Sequence, residues 1–244
     1  MWWNVILGLT APLGLIAMLQ AFKTAGFRPA PRPLFLFIAA LEALAVTIHT
    51  PLLLAALRNQ GRRHERLIIL GIRETLFFAG WIGVALIAGV VFGGRGEFRG
   101  FLLAQPVLVG FAAILTGMFA LAAGTGLASA AAQLAATTLG FAMLGILFYA
   151  NPAIQSVPTE AARESLIRLA IHANPVAALS GPVFEYDLLR APRMYDISVI
   201  GSYYRFAYPA WGTLLAEYLA AGTALVAAGA ALERLRRPAA RTTP

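Results

Sequence analysis

From Phe101 to Ala150 the chain is almost unbrokenly apolar, and this stretch constrains the fold more than any other feature. As one helix it would be about 75 Å long, more than twice the hydrocarbon core of a bilayer at about 30 Å. It must therefore fold back, and the turn is expected around Gly124–Gln133, where Gly124-Thr-Gly126 and Ser129 interrupt the large side chains. Four further stretches, Trp2–Phe22, Leu34–Leu57, Leu67–Phe92 and Pro209–Leu232, each suit one crossing. Hydrocarbon offers backbone groups no water to bond, and the runs are continuous rather than alternating, so the spans are read as helices, not barrel strands. The expected fold is an all-α integral membrane protein with six transmembrane helices, at about 2–22, 34–57, 67–92, 101–123, 130–150 and 209–232, in a single transmembrane domain over 1–244. A composition of 59% hydrophobic and 12% charged residues fits that architecture and argues against soluble modules.

The net charge of +8 invites a nucleic-acid reading. It fails on distribution: eighteen of nineteen basic residues are arginines scattered over the connections between apolar runs. Positive charge that sets topology and meets anionic headgroups accounts for that pattern, and no nucleic-acid partner is expected. An even number of spans puts both termini on one side. If that side is cytoplasmic, the short inner segments carry Arg58, Arg62, Arg63, Arg66, Arg73, Arg234, Arg236, Arg237 and Arg241, against Lys23, Arg28, Arg32, Arg95 and Arg99 in the short outer ones. Nine against five favours both termini inside a bacterial inner membrane. Met1-Trp2-Trp3-Asn4 lacks a basic n-region, so the first run reads as a retained span rather than a secretory signal.

The outer segment 151–208 differs from the rest. It holds five prolines and the tyrosines Tyr186, Tyr195, Tyr203, Tyr204 and Tyr208, a composition suited to headgroup level. Within it Thr159–Ala173 reads as an amphipathic helix, with Leu166, Leu169 and Ala170 on one face, Arg163, Glu164 and Arg168 opposite, and Thr159 as its cap. A second short helix is expected around Pro175–Leu189. Both should be re-entrant or interfacial, before the last span. The connector from Lys23 to Pro33, with three prolines and a glycine, reads as non-helical. Gly110, Gly117 and Gly124 recur every seven residues along one helix face, where a neighbouring helix could approach closely; general tolerance of glycine in membrane helices explains them equally well.

Motifs for catalysis are missing. There is no cysteine, no glycine-rich phosphate loop with a following lysine, no G-x-S-x-G elbow and no H-E-x-x-H. The three histidines, His49, His64 and His172, fall on different segments and do not suit bis-histidine haem ligation. No catalytic residue, metal ligand or cofactor of its own is expected of this chain. Glu42 and His49 lie seven residues apart in the second span, roughly on one face. A charge in hydrocarbon costs several kcal/mol, so such residues face protein or a polar cavity. They are either a pathway-lining pair or a polar contact between helices. Glu217 falls near the outer interface of the last span. Arg58–Glu74 reads as an amphipathic connection between spans two and three, either anchored to the headgroups or docked on a cytoplasmic partner.

This layout resembles the permease subunits of type-2 ATP-binding-cassette exporters. The matching pieces are Thr50-Pro-Leu-Leu-Leu-Ala-Ala-Leu-Arg with its charged continuation, Phe148-Tyr-Ala-Asn-Pro, His172-Ala-Asn-Pro-Val-Ala-Ala-Leu, and Glu233-Arg-Leu-Arg-Arg. Two departures stand out: no amphipathic helix precedes the first span, and the second-to-third connection lacks a Glu-Arg-Glu-x-Gly-Thr-like run. The resemblance implies a permease moving a lipophilic or amphipathic cargo, paired with a second permease subunit in a homo- or heterodimer. A separate cytoplasmic ATPase would bind the ATP and hydrolyse it, and Arg58, Arg62, Arg63, His64, Glu65 and Arg66 would form its docking loop. The competing expectation is a non-catalytic accessory subunit of a respiratory or photosynthetic membrane complex.

Overall fold

The structure is a computed structural model that describes residues 3–26, 28–58, 63–191, 200–201 and 206–236, without the side chains of 3–12, 22, 63–67 and 95. The described residues form helices and no strand. In order these are α1 (Trp3–Thr24), α2 (Pro31–Arg58), α3 (Arg63–Phe92), α4 (Arg95–Gly124), α5 (Ser129–Ser156), α6 (Glu160–Ala173), α7 (Pro175–Ser180), a 3-10 turn (Leu188–Arg190) and α8 (Trp211–Arg236). Five of them, α2, α3, α4, α5 and α8, are long and apolar enough to cross a membrane, which fits a multi-pass membrane protein.

Proline placement departs from expectation. Pro31 and Pro33 sit in the first turn of α2 instead of excluding helix, because the first backbone N–H groups of a helix have no intrahelical partner to lose. Pro51, Pro106 and Pro152 lie inside α2, α4 and α5, and Pro152 is carried through to Ser156 rather than ending the helix. The reversal between α4 and α5 occupies Thr125–Ala128, where Gly126 takes φ +93°. Only Gly93 and Gly94 separate α3 from α4, both with positive φ, a backbone shape that costs glycine little.

Helices α2 and α4 form the inside of the bundle. α2 packs on α3, α4 and α5, and α4 packs on α2, α5 and α8. Phe35 and Phe101, both fully buried, meet at 6.3 Å between ring centroids. By contrast α3, α5 and α8 turn apolar side chains outward, including Leu76, Val90, Leu134, Phe141, Leu219 and Val226. An outward apolar surface is what lipid-facing helices present.

α4 and α8 form the most intimate pair. Gly110 faces Leu215 and Tyr218, Gly117 faces Gly222 and Leu225, and Gly124 faces Gly229, so the two helices run parallel. A Cβ at Gly117 would lie 2.6 Å from the Gly222 carbonyl oxygen, and one at Gly222 would lie 2.7 Å from the Ala113 carbonyl. Backbone meets backbone here. The contact positions step by three and four residues on both helices (Gly110, Ala113, Gly117, Ala120, Gly124 against Leu215, Tyr218, Gly222, Leu225, Gly229), the 3.5-residue period of a left-handed helix pair.

After α5 the chain doubles back. α6 packs along α5, and the buried Asn174 that follows it donates from Nδ2 to the Leu144 carbonyl at 2.7 Å. Leu144 precedes the end of α5 by twelve residues, about 18 Å along the helix. The same Asn174 caps α7, its Oδ1 accepting from the Val176 and Ala177 amides at 3.0 Å each. α6 is rotated from its expected register: Ile167, Ala170 and Ile171 are buried, whereas Leu169 is 60% exposed. Thr159 precedes the helix, but its side chain makes no capping hydrogen bond. The second short helix is shorter than expected, ending at Ser180 before an irregular run to the 3-10 turn.

Candidate functional site

Polar side chains gather where α2 meets α3 and α4. Glu42, fully buried on α2, accepts a hydrogen bond from Gln105 Nε2 of α4 at 2.9 Å. One turn on, Thr47 returns its hydroxyl to the Ala43 carbonyl at 2.9 Å and so satisfies itself. Next along α2, His49 stacks on Phe77 of α3, with centroids 4.4 Å apart and planes within 10°. Thr50 is buried beside them. From α3 come Glu74 and Trp81, the latter packed edge-on to Phe77.

Several of these groups lack a well-aligned partner within the protein. Among the described residues, Glu42 Oε1, Gln105 Oε1, His49 Nε2 and Trp81 Nε1 are enclosed without one, while the Thr50 hydroxyl and the Glu74 carboxylate face each other. An unpartnered buried polar group costs about 1–3 kcal/mol, and more if charged.

The sequence-expected pair, Glu42 and His49, both belong to this seam but are not brought into contact. Seven residues separate them by about 10 Å along α2, and they have different partners, Gln105 and Phe77. Gln105, Thr50 and Trp81 were missed as site residues. Gln105 carried a signal, since it is one of the few strongly polar side chains in the Phe101–Ala150 stretch. Glu74 was read as the end of a connection, yet it lies eleven residues into α3.

The expected docking loop is likewise largely helix. Arg58 is the last residue of α2, and Arg63, His64, Glu65 and Arg66 open α3, so the span and the charged segment are one continuous rod. Arg62 and the side chains of 63–67 lie outside the described residues. Arg58 Nη1 donates to the Leu127 carbonyl at 2.9 Å, in the α4–α5 turn. At the neighbouring Gly126, the Arg236 guanidinium from the end of α8 fills the space a side chain would need. Two arginines from two helix ends thus grip one turn.

At the opposite end, charges pair with each other. Arg32 binds Glu185 at 2.7 Å, and Glu217 of α8 meets His172 Nδ1 of α6 at 2.8 Å. Tyr218 donates its hydroxyl to the His172 carbonyl at 2.8 Å. Tyr208 donates to Asp187 Oδ1 at 2.7 Å; burial, then the Asp187 carboxylate, push its hydroxyl up to about 12. Among the described residues, no group of three or more His, Asp or Glu is placed to hold a metal ion.

Comparison with known proteins finds no match to this chain, whether to a family model, to a curated protein or to a solved structure.

Proposed function

We propose that the chain is the membrane-spanning permease subunit of an ATP-driven exporter, with α1 as a sixth span and both termini cytoplasmic in a bacterial inner membrane. A lipophilic or amphipathic cargo would pass along its polar seam, and ATP hydrolysis would take place on a separate cytoplasmic ATPase. The observation that carries this reading is the doubling back of α6 and α7 before the last span, anchored by Asn174 on Leu144. In this reading the helix pair, held to α5 and tied to α8 through His172 and Glu217, would re-enter the outer leaflet and open or close the outer end of a pathway. Arg58, Arg62, Arg63, His64, Glu65 and Arg66 would meet the ATPase. Because α3 is continuous from Arg63 to Phe92, a push on that contact would reach Glu74 and Trp81 without a joint between. Movement requires that the ATPase bind two arrangements of the permease unequally.

A second reading, an accessory subunit of a respiratory or photosynthetic complex, draws on the enclosure of Glu42, whose hydrogen bond to Gln105 is also what a purely structural contact provides. Purification from native membranes, with identification of the bound chains, separates the two. An ATPase subunit is the expected companion; redox or pigment proteins in its place would sink the permease reading. Replacing Arg62, Arg63 and Arg66 together by Glu should release that ATPase while topology is retained, since like charges then oppose at the contact. Full association in a correctly inserted triple variant would remove these residues from the docking surface.

A further inference from the structure

At the arginine-rich end, α2 and α8 both lie against α4 rather than against each other. The space left between them is a cleft of about 710 Å³, within the usual size range of small-molecule sites, about 300–1,000 Å³. Its floor is Ala120, Ala123 and Gly124, the small residues that allow α8 its close approach, and so it is a smooth trough. Its walls are apolar: Leu54 and Leu57 from α2, Leu70 from α3, Phe119 from α4 and Val226 from α8. The polar side chains lining it, Arg58, Glu233 and Arg234, all come from the last residues of α2 and α8. Val226, in the α8 wall, is 40% exposed, so the cleft is open on the side where α8 turns its apolar face outward.

A long apolar trough that opens into the bilayer and ends in two guanidiniums against one carboxylate has the polarity of one occupant. We propose that this cleft binds an anionic phospholipid from the leaflet at the arginine-rich end, its acyl chain along Leu54, Leu57 and Phe119 and its phosphate between Arg58 and Arg234. A guanidinium carries five N–H donors in a planar fork, enough to hold the Leu127 carbonyl and a phosphate together. With Glu233 counted, the three charged lining residues still carry a formal charge of about +1, so a headgroup that brings its own cation is disfavoured against one that is anionic. The bound lipid is a third strut between α2, α4 and α8, so its presence stiffens the end of the bundle that carries the arginine grip. The site requires only that these helices sit in a membrane, and it stands whether or not the chain is a permease.

The test uses the full chain, with whatever subunits accompany it, in a neutral detergent. Native mass spectrometry and thermal unfolding are read with added phosphatidylglycerol, phosphatidylcholine or inorganic phosphate. Phosphatidylglycerol should be retained and raise the unfolding temperature, whereas phosphatidylcholine and phosphate should do neither. Arg58→Gln combined with Arg234→Gln should weaken phosphatidylglycerol binding about tenfold or more, since each arginine near a charged lipid surface contributes about 1 kcal/mol. Ala230→Phe fills the trough from an exposed lining position and keeps both arginines. It should abolish lipid retention in a protein that still elutes as a single species. Equal response to both lipids, or a response to phosphate alone, would overturn the proposal. So would an Ala230→Phe variant that binds as the parent does, because attraction to surface charge would then be sufficient.

Discussion

α4 has two working faces, and they are built on opposite principles. Toward α8 it presents Gly110, Gly117 and Gly124, and at Gly117 and Gly124 the helices touch backbone to backbone. Toward α2 it presents Gln105 to the carboxylate of Glu42, and the helices are spaced by long side chains with unmet hydrogen-bonding capacity. Lipid is as apolar as leucine, so helices inside a membrane gain little from burying apolar surface against each other. They gain from dispersion at close range and from hydrogen bonds. The first face uses the former and the second the latter. Close packing has one well-defined arrangement, whereas a half-satisfied polar seam has alternatives. On this contrast, α4 and α8 move as a unit and any rearrangement occurs against α2 and α3.

The contrast breaks most visibly at Gly117. Leucine there needs space already held by the Gly222 carbonyl and Leu225, and the protein should lose about 3 kcal/mol or more, or fail to elute as a single species. A Gly117→Leu variant with parental unfolding temperature would mean the seam is loose. The polar face should respond less and in a different pattern. Gln105→Leu leaves Glu42 with no partner and should cost about 2 kcal/mol, while Glu42→Leu with Gln105→Leu should restore most of that, because apolar replacement of a buried polar pair is often neutral. A double variant less stable than the single one would show that the pair itself holds α2 to α4. Gly83→Ala, on the open side of α3 with no atom within 4 Å of the new methyl, should change stability by less than about 1 kcal/mol, in the favourable direction. An effect confined to alkaline pH, and the smallest at neutral pH, is expected outside both faces, at Tyr208. Its folded-state value of about 12 exceeds the ordinary 10.0, so the stability it contributes is complete below about pH 10 and is lost as pH rises from there through about 12. Tyr208→Phe should remove that alkaline loss in unfolding scans; an unchanged alkaline profile would show that the buried Tyr208 hydroxyl is not its source.

Much of the helical framework was legible because a bilayer leaves few alternatives: hydropathy and length alone separate the apolar helices and demand a reversal inside Phe101–Ala150. Glu42 and His49 were legible for the same reason, as ionisable residues stand out in a span. Their partners were not. Pairing Glu42 with Gln105 requires the register of α2 against α4, which neither segment encodes by itself. The seven-residue glycine repeat on α4 was visible, yet its complement at Gly222 and Gly229 was recognisable only once α8 was laid beside it. On α6 the spacing of Leu166, Leu169 and Ala170 is as regular as that of Ile167, Ala170 and Ile171, and apolar periodicity does not say which face meets protein. Prolines misled where position mattered more than identity, as at Pro31 and Pro33 in the first turn of α2.

The grip of Arg58 and Arg236 on the α4–α5 turn has a mechanical meaning. It brings the ends of α2, α4, α5 and α8 to one turn, through the Arg58–Leu127 hydrogen bond and the packing of Arg236 on Gly126. At the other end the α3–α4 reversal consists of two glycines in left-handed conformations, Gly93 and Gly94, and the cross-links are one exposed ion pair, Arg32–Glu185, that salt can loosen, beside the hydrogen bonds His172–Glu217, Tyr218–His172 and Asn174–Leu144. The two ends thus differ in what ties them: arginines on a backbone turn at one, and side chains bonding across α5, α6 and α8 at the other.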